Sequence, residues 1–233
     1  MKLLHSLFAG LLSLSLATPV FADNVIRIAV TGPYSGGSAP MGTSMRDGVR
    51  LAFSQINGRG GIDVGGKKMK VVLVERDDEG KNDRGALVAQ EISSMNDIAA
   101  VIGTVNTGVA ISGDKYYVAR GMVKIITPAA GSASMTQWSA AGAQNLPIFR
   151  FAANDGIQAQ MVVEEAQKRG LKKVAIFHDA TNYGVSGRDD LLAQIKLQGN
   201  RLRVVDVEKF AIGDKDMSAQ LIKARMSGAQ AIL

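Results

Sequence analysis

The chain carries two histidines and no cysteine, which removes most routes to covalent or metal chemistry. His5 falls in a stretch that reads as a leader, so His178 is the one imidazole of the expected mature protein. A Ser-His-Asp triad would have to use it, and no Gly-x-Ser-x-Gly elbow accompanies it. A zinc site built from several His or Cys ligands is excluded. His178 ends a strand-like run, where it can serve as a satisfied structural residue or reach into a cleft. Neither role requires catalysis, and no enzyme is expected.

The residues are better suited to holding a small polar molecule. In Gly103-Thr104-Val105-Asn106-Thr107-Gly108 a strand-like run passes into a helical one. Unpaired N–H groups at a helix start, with the Thr107 hydroxyl beside them, form a site for a carboxylate. Ordinary capping by Asn106 or Thr107 is the alternative. Pro33-Tyr34-Ser35-Gly36-Gly37 does not fit the dinucleotide fingerprint, but can present backbone N–H groups and the Ser35 hydroxyl.

Two look-alikes fail. The run from Gly61 to Lys68 nearly spells a phosphate-binding loop, but Lys68 stands where Ser or Thr should hold magnesium. It also precedes a strand-like run, so a glycine-rich turn is expected. Asp77-Asp78-Glu79-Gly80 lacks the ligand spacing of a calcium loop and reads as a solvated loop that begins a helix. No cofactor and no metal are expected.

The elements that must position these residues are legible as one repeated unit. Short β-branched runs fall at residues 26–30, 71–74, 99–102, 123–126, 148–149, 174–177, 204–207 and 229–233. Several are apolar at consecutive positions, as in strands covered on both faces. Amphipathic helical segments lie between them, with Met45, Val49, Ala52 and Ile56 sharing one face, Val88, Ile92 and Met95 another, and Ala159, Val162, Val163 and Ala166 a third. Asn154-Asp155 can cap a helix that ends in Lys168-Arg169 with Gly170 beyond. Such alternation predicts an α/β fold with a parallel, doubly wound sheet, in which ligands bind beyond the carboxyl ends of the strands.

The first 22 residues read as a cleavable signal peptide: Lys2, an apolar run over 3–16, Pro19, then Val20-Phe21-Ala22 before Asp23. That run is too short to span a bilayer, and no later stretch approaches the roughly 20 residues needed. Without a cysteine at the cut there is nothing to carry a lipid, so a free periplasmic protein is expected. The formal charge of +6, or +5 without Lys2, is dispersed rather than clustered. A nucleic-acid partner is therefore not expected.

Taken in order, several pieces resemble the type I periplasmic binding proteins of the branched-chain amino-acid and amide group. They are Gly32-Pro33-Tyr34-Ser35-Gly36, Asn57-Gly58-Arg59-Gly60-Gly61-Ile62, Glu75-Arg76-Asp77-Asp78, Ile126-Thr127-Pro128-Ala129-Ala130 and Asn182-Tyr183-Gly184. The resemblance implies two Rossmann-like lobes, residues 23–150 and a partial second lobe at 151–233, that close on a ligand. It places Ser35, Val105, Asn106, Thr107, Ala130, Gly131, Ser132 and Tyr183 at the ligand, with Thr107 on a carboxylate and Tyr183 as an aromatic lid. Gly131 stands where branched-chain binders often carry a hydroxyl residue, and Met41 where they are often aromatic. Another small carboxylate or amide is therefore also compatible.

Family members continue well past residue 233 and supply there an acidic residue for the amino group. The 233 residues alone are expected to hold ligand weakly or not at all. The implied function is a monomeric solute receptor for an ABC permease of the inner membrane; a sensor acting with a regulator or receptor kinase is the alternative.

Overall fold

The computed structural model of the chain describes residues 24–126, 131 and 148–233. The expected signal peptide, Ala130 and Ser132 lie outside the described residues.

Each consecutive apolar run becomes a strand. In chain order these are β1 (Val25–Gly32), β2 (Ile62–Val64), β3 (Lys67–Asp77), β4 (Ile98–Ile102), β5 (Val123–Ile126), β6 (Ile148–Arg150), β7 (Lys173–Asp179), β8 (Arg203–Phe210) and β9 (Ala231–Ile232). The helices between them are α1 (Ala39–Gly58), α2 (Asn82–Ser94), α3 (Thr107–Ala119), α4 (Asp155–Lys168), α5 (Asn182–Leu197) and α6 (Ser218–Met226). The strands form two sheets, ordered β2-β3-β1-β4-β5-β6 and β8-β7-β9. Each sheet has its own core. Ala29, Val88, Ala89, Ile92, Val101 and Tyr117 pack in the first, and Val163, Ala166, Val174, Ile195 and Leu202 in the second.

Among the described residues all strand pairings are parallel except one. β2 runs antiparallel to β3, with Ile62 opposite Met69 and Val64 opposite Lys67. Its two-residue loop, Gly65-Gly66, has φ of 60° and 82°, the left-handed conformation that a tight hairpin turn demands. The sheet is thus not wholly parallel. A three-residue strand carries too little pattern to be seen in a sequence.

The strand order fixes where a ligand can go. β1 is flanked by β3 on one side and β4 on the other, so the connections leaving their carboxyl ends diverge there. β7 holds the same central place between β8 and β9. Such a switch point opens a crevice at the strand ends.

Helix α3 enters this crevice and is fixed tightly behind it. Gly85 of α2 lies so close that a methyl group there would sit 2.3 Å from Val109 Cγ1. Deeper in, Asp114 of α3 forms an ion pair with Lys124 of β5, both side chains 0% exposed. The Lys124 ammonium also lies 5.1 Å from the centre of the Tyr117 ring. Burial pushes the Asp114 carboxyl up, against the opposing pull of Lys124.

Removing one partner leaves the other charge buried and uncompensated, whereas removing both does not. Lys124→Met is therefore expected to cost about 3–5 kcal/mol in chemical denaturation, and Asp114→Leu with Lys124→Met to recover most of it. A loss under about 1 kcal/mol in the single variant would show that the pair does not hold α3.

Candidate functional site

The connection after β1 is shaped by the acidic residues after β3. Asp77 Oδ1 accepts from the Tyr34 amide at 2.8 Å and the Glu79 amide at 2.8 Å, and Oδ2 accepts from the Ser35 hydroxyl at 2.7 Å. Partial burial pushes this carboxyl up, but the converging donors outweigh it and hold it below the ordinary aspartate value. Asp78 departs from the solvated loop expected of this segment. It is fully buried, accepting from the Thr31 hydroxyl at 3.1 Å and the Gly80 amide at 2.9 Å. Burial pushes its carboxyl up.

This anchoring decides the place of Ser35. Its hydroxyl is turned onto Asp77 and does not line the crevice; Ser38, three residues on, does. The Ser38 hydroxyl accepts from Asn106 Nδ2 at 3.1 Å. Asn106 precedes α3 but makes no side-chain capping bond, so ordinary capping by Asn106 does not describe it. Nor does the Thr107 hydroxyl cap: Thr107 Oγ1 accepts from the Gly131 amide at 2.6 Å. The first turn closes through the Ala110 amide on the Asn106 carbonyl. The amides of residues 107–109 have no partner available within the helix.

Gly131 is buried, and its carbonyl accepts from Arg150 Nη2 at 3.2 Å. A methyl group placed on it would lie 2.7 Å from Thr107 Oγ1, 2.8 Å from Asp155 Oδ2 and 3.3 Å from Tyr183 Cδ2. Residues from α3, α4 and α5 therefore face one small space, which the missing side chain leaves open.

Around that space runs a cleft of about 560 Å³ between the lobes. Ser38, Met41, Val105, Asn106 and Thr107 form one wall, and Asp155, Gln158, Asp179, Thr181, Tyr183 and Ile212 the other. Residues 152–154, where the chain passes between the lobes, close one end. A second compartment of about 430 Å³ shares Ser38, Asn106, Thr107 and Tyr183. Across it Asn82 Nδ2 donates to Asn182 Oδ1 at 3.3 Å, joining the starts of α2 and α5. Tyr183 is 43% exposed; its hydroxyl is pushed up by burial and by the charges of Asp155 and Asp179.

Of the residues singled out in the sequence, Val105, Asn106, Thr107 and Tyr183 line the cleft, and Gly131 is buried against Thr107. His178 stays apart. Its Nδ1 lies 2.8 Å from the Asp179 carbonyl, and it lines an adjoining hollow between α4 and α5 that shares Asp155, Gln158, Asp179 and Tyr183 with the cleft. Among the described residues no group of three or more His, Cys, Asp or Glu could hold a metal. Sequence reasoning missed Ser38, Thr181 and Asp155. Only Asp155 left a signal, and that signal was read as the start of a helix.

A family model described as periplasmic binding protein matches residues 25–233. The Leu/Ile/Val-binding protein homolog 3 of Brucella melitensis is 34% identical, over 100% of this chain and 59% of its own length. The chain thus spans somewhat over half of that relative. A type 1 periplasmic binding protein of Bordetella pertussis superposes with a TM-score of 0.76 at 28% identity, over 89% of this chain and 55% of its own. The branched-chain amino acid transporter substrate binding protein LivJ of Streptococcus pneumoniae, solved with isoleucine, gives 0.70 at 25% identity, over 86% and 54%.

The hydrogen bonds to Asp77 carry a pH dependence. Because its folded value is depressed, its contribution is complete above the unfolded value and fades as pH falls through the folded one. Asp77→Asn is expected to lower the Tm at about pH 7. The gap to the parent should shrink as pH drops below 3.8, the ordinary aspartate value. A gap that stays constant down to about pH 2.5 would mean that Asp77 does not anchor the β1–α1 connection as a carboxylate.

Proposed function

The chain belongs to the periplasmic binding protein family, and from that premise we propose that it captures an amino acid or a similar small carboxylate or amide. The ligand is held between two lobes, residues 23–150 and 151–233, and is handed to an ABC permease of the inner membrane. The protein works in the periplasm as a monomer, exported by its first 22 residues, and does no chemistry on its ligand.

The observation that carries this reading is the start of α3. Its first residues, Asn106 and Thr107, line a cleft bounded by both lobes, and the Asn106 side chain does not cap its first amides. A ligand carboxylate there accepts charge-assisted hydrogen bonds, each contributing about 1.5–3 kcal/mol where water is excluded. Val105, Asn106 and Gly131 belong to the same proposed wall; the resemblance adds Ala130 and Ser132, which lie outside the described residues. Tyr183 covers the ligand from the other lobe. Ser35 acts at one remove, holding the β1–α1 connection through Asp77.

A ligand that touches both walls stabilises the closed arrangement over any open one, so binding and closure are one equilibrium. Closure is what a permease could read.

Thr107→Val keeps the shape of the side chain but removes the acceptor of the Gly131 amide and a donor to the ligand. The tightest-binding member of a panel of the twenty amino acids is expected to lose about 10- to 100-fold in affinity, one to two steps of 1.4 kcal/mol. Calorimetry on the full-length protein measures this. An unchanged affinity in the variant would place the carboxylate elsewhere.

A further inference from the structure

The cleft has an apolar side as well as a polar one, and sulfur supplies part of it. Met41 stands on the wall of the first lobe and Met161 on the wall opposite, with Val105, Ile157 and Ile212 as apolar neighbours. Each is placed by its helix. Met41 lies in the first turn of α1 beside Gly42, where an added methyl group would sit 2.0 Å from the Pro33 carbonyl oxygen. No side chain fits there, so the turn is pressed onto the β1–α1 connection and Met41 takes the cleft side. Ile157 and Met161 stand four residues apart on α4, on the same face of a helix whose start Asn154 caps.

These are also sulfurs that solvent reaches. Among the described residues, the exposed methionines are Met41 at 55%, Met161 at 64% and Met226 at 82%. Met226 closes α6 and lines neither compartment of the cleft. The chain has no cysteine, so an oxidant finds sulfur in methionine alone. Hydrogen peroxide gives one oxygen atom to a thioether: an S=O bond forms, the O–O bond breaks, sulfur loses two electrons and water leaves. The product is polar where the thioether was apolar. An apolar ligand group that covers a sulfoxide strips its water and offers no donor in return.

We propose that Met41 and Met161 form an oxidation site facing the ligand, so that peroxide converts the receptor to a weak-binding form and bound ligand shields it. This rests on the receptor reading above and adds to it a modification that the same cleft controls. One thioether comes from each lobe, so oxidation alters both halves of the apolar lining. Met161 also borders an outer hollow with Leu171 and Ala231, where oxidant can approach it from outside the cleft. Met41 is therefore the better shielded of the two.

The experiment treats the full-length protein with hydrogen peroxide, with and without the tightest-binding amino acid of the panel of twenty. Peptide mass spectrometry maps the sulfoxides. Without ligand, Met41, Met161 and Met226 are all expected to oxidise. With ligand, Met41 should slow by about 5-fold or more, Met161 by less, and Met226 not at all. Catalase then removes the peroxide, and calorimetry with fresh amino acid is expected to show a loss of affinity of about 10-fold or more. Methionine sulfoxide reductases A and B, with dithiothreitol, should restore it. The double variant Met41→Leu with Met161→Leu, whatever its own starting affinity, should lose less than about 2-fold on the same treatment. Met226→Leu should lose as much as the parent.

An oxidised parent that keeps its affinity, or a folded double variant that loses as much as the parent, overturns the role of the two methionines and leaves the receptor reading standing. Should circular dichroism show the double variant unfolded, the parent still decides: oxidation of Met41 at one rate with and without ligand overturns the proposal. A parent that binds none of the twenty amino acids removes the receptor reading, and this inference with it.

Discussion

A helix cannot satisfy its own first amides, and in this chain that constraint falls where the first sheet opens. The amides of residues 107–109 stand at the carboxyl end of β4, beside the point where the connections after β1 and β4 part. Neither the Asn106 side chain nor the Thr107 hydroxyl turns back to cap them. Both are occupied with neighbouring segments, Asn106 with Ser38 and Thr107 with Gly131. The rest of the molecule can be understood as support for this helix end and as a second wall opposite it.

The support is costly in ways that a purely structural helix would not need. A buried aspartate–lysine pair lies under the third turn of α3, an arrangement that apolar residues of similar volume often replace without loss. Close packing against α2 demands glycine at residue 85. The adjoining connection hangs on Asp77, and the strand end on the buried Asp78. Each feature limits how far the crevice wall can shift. A preorganised site loses less free energy to ordering when a ligand arrives. Among the described residues, the opposite wall meets it through a side-chain hydrogen bond between Asn82 and Asn182.

Much of this was legible in the sequence because burial leaves a periodic trace. The consecutive apolar runs marked eight strands, and Asn154 with Gly170 marked the ends of α4. Thr107 could be singled out because it stands where a strand passes into a helix, and Tyr183 through the family resemblance. What escaped depends on contacts distant in sequence. Ser35 and Ser38 are equally polar, and only the bond to Asp77, 42 residues on, turns the first away from the cleft. Asp78 reads as solvated until Thr31, 47 residues before it, is seen to bury it. Asp155 looks like a helix start because it is one; its place beside Gly131 and near Thr107 appears only in the fold. The β2 hairpin was missed for lack of length, not for lack of a turn signal.

The measurement that bears most directly on the whole account is an NMR titration of the full-length protein with its amide resonances assigned. On adding the amino acid that binds, the Thr107, Gly108 and Val109 amide protons should move downfield together, as amides do when they donate to a carboxylate. Tyr183 resonances on the other lobe should shift with the same saturation curve. Binding that leaves all three amides unmoved would contradict the claim that the start of α3 receives the ligand.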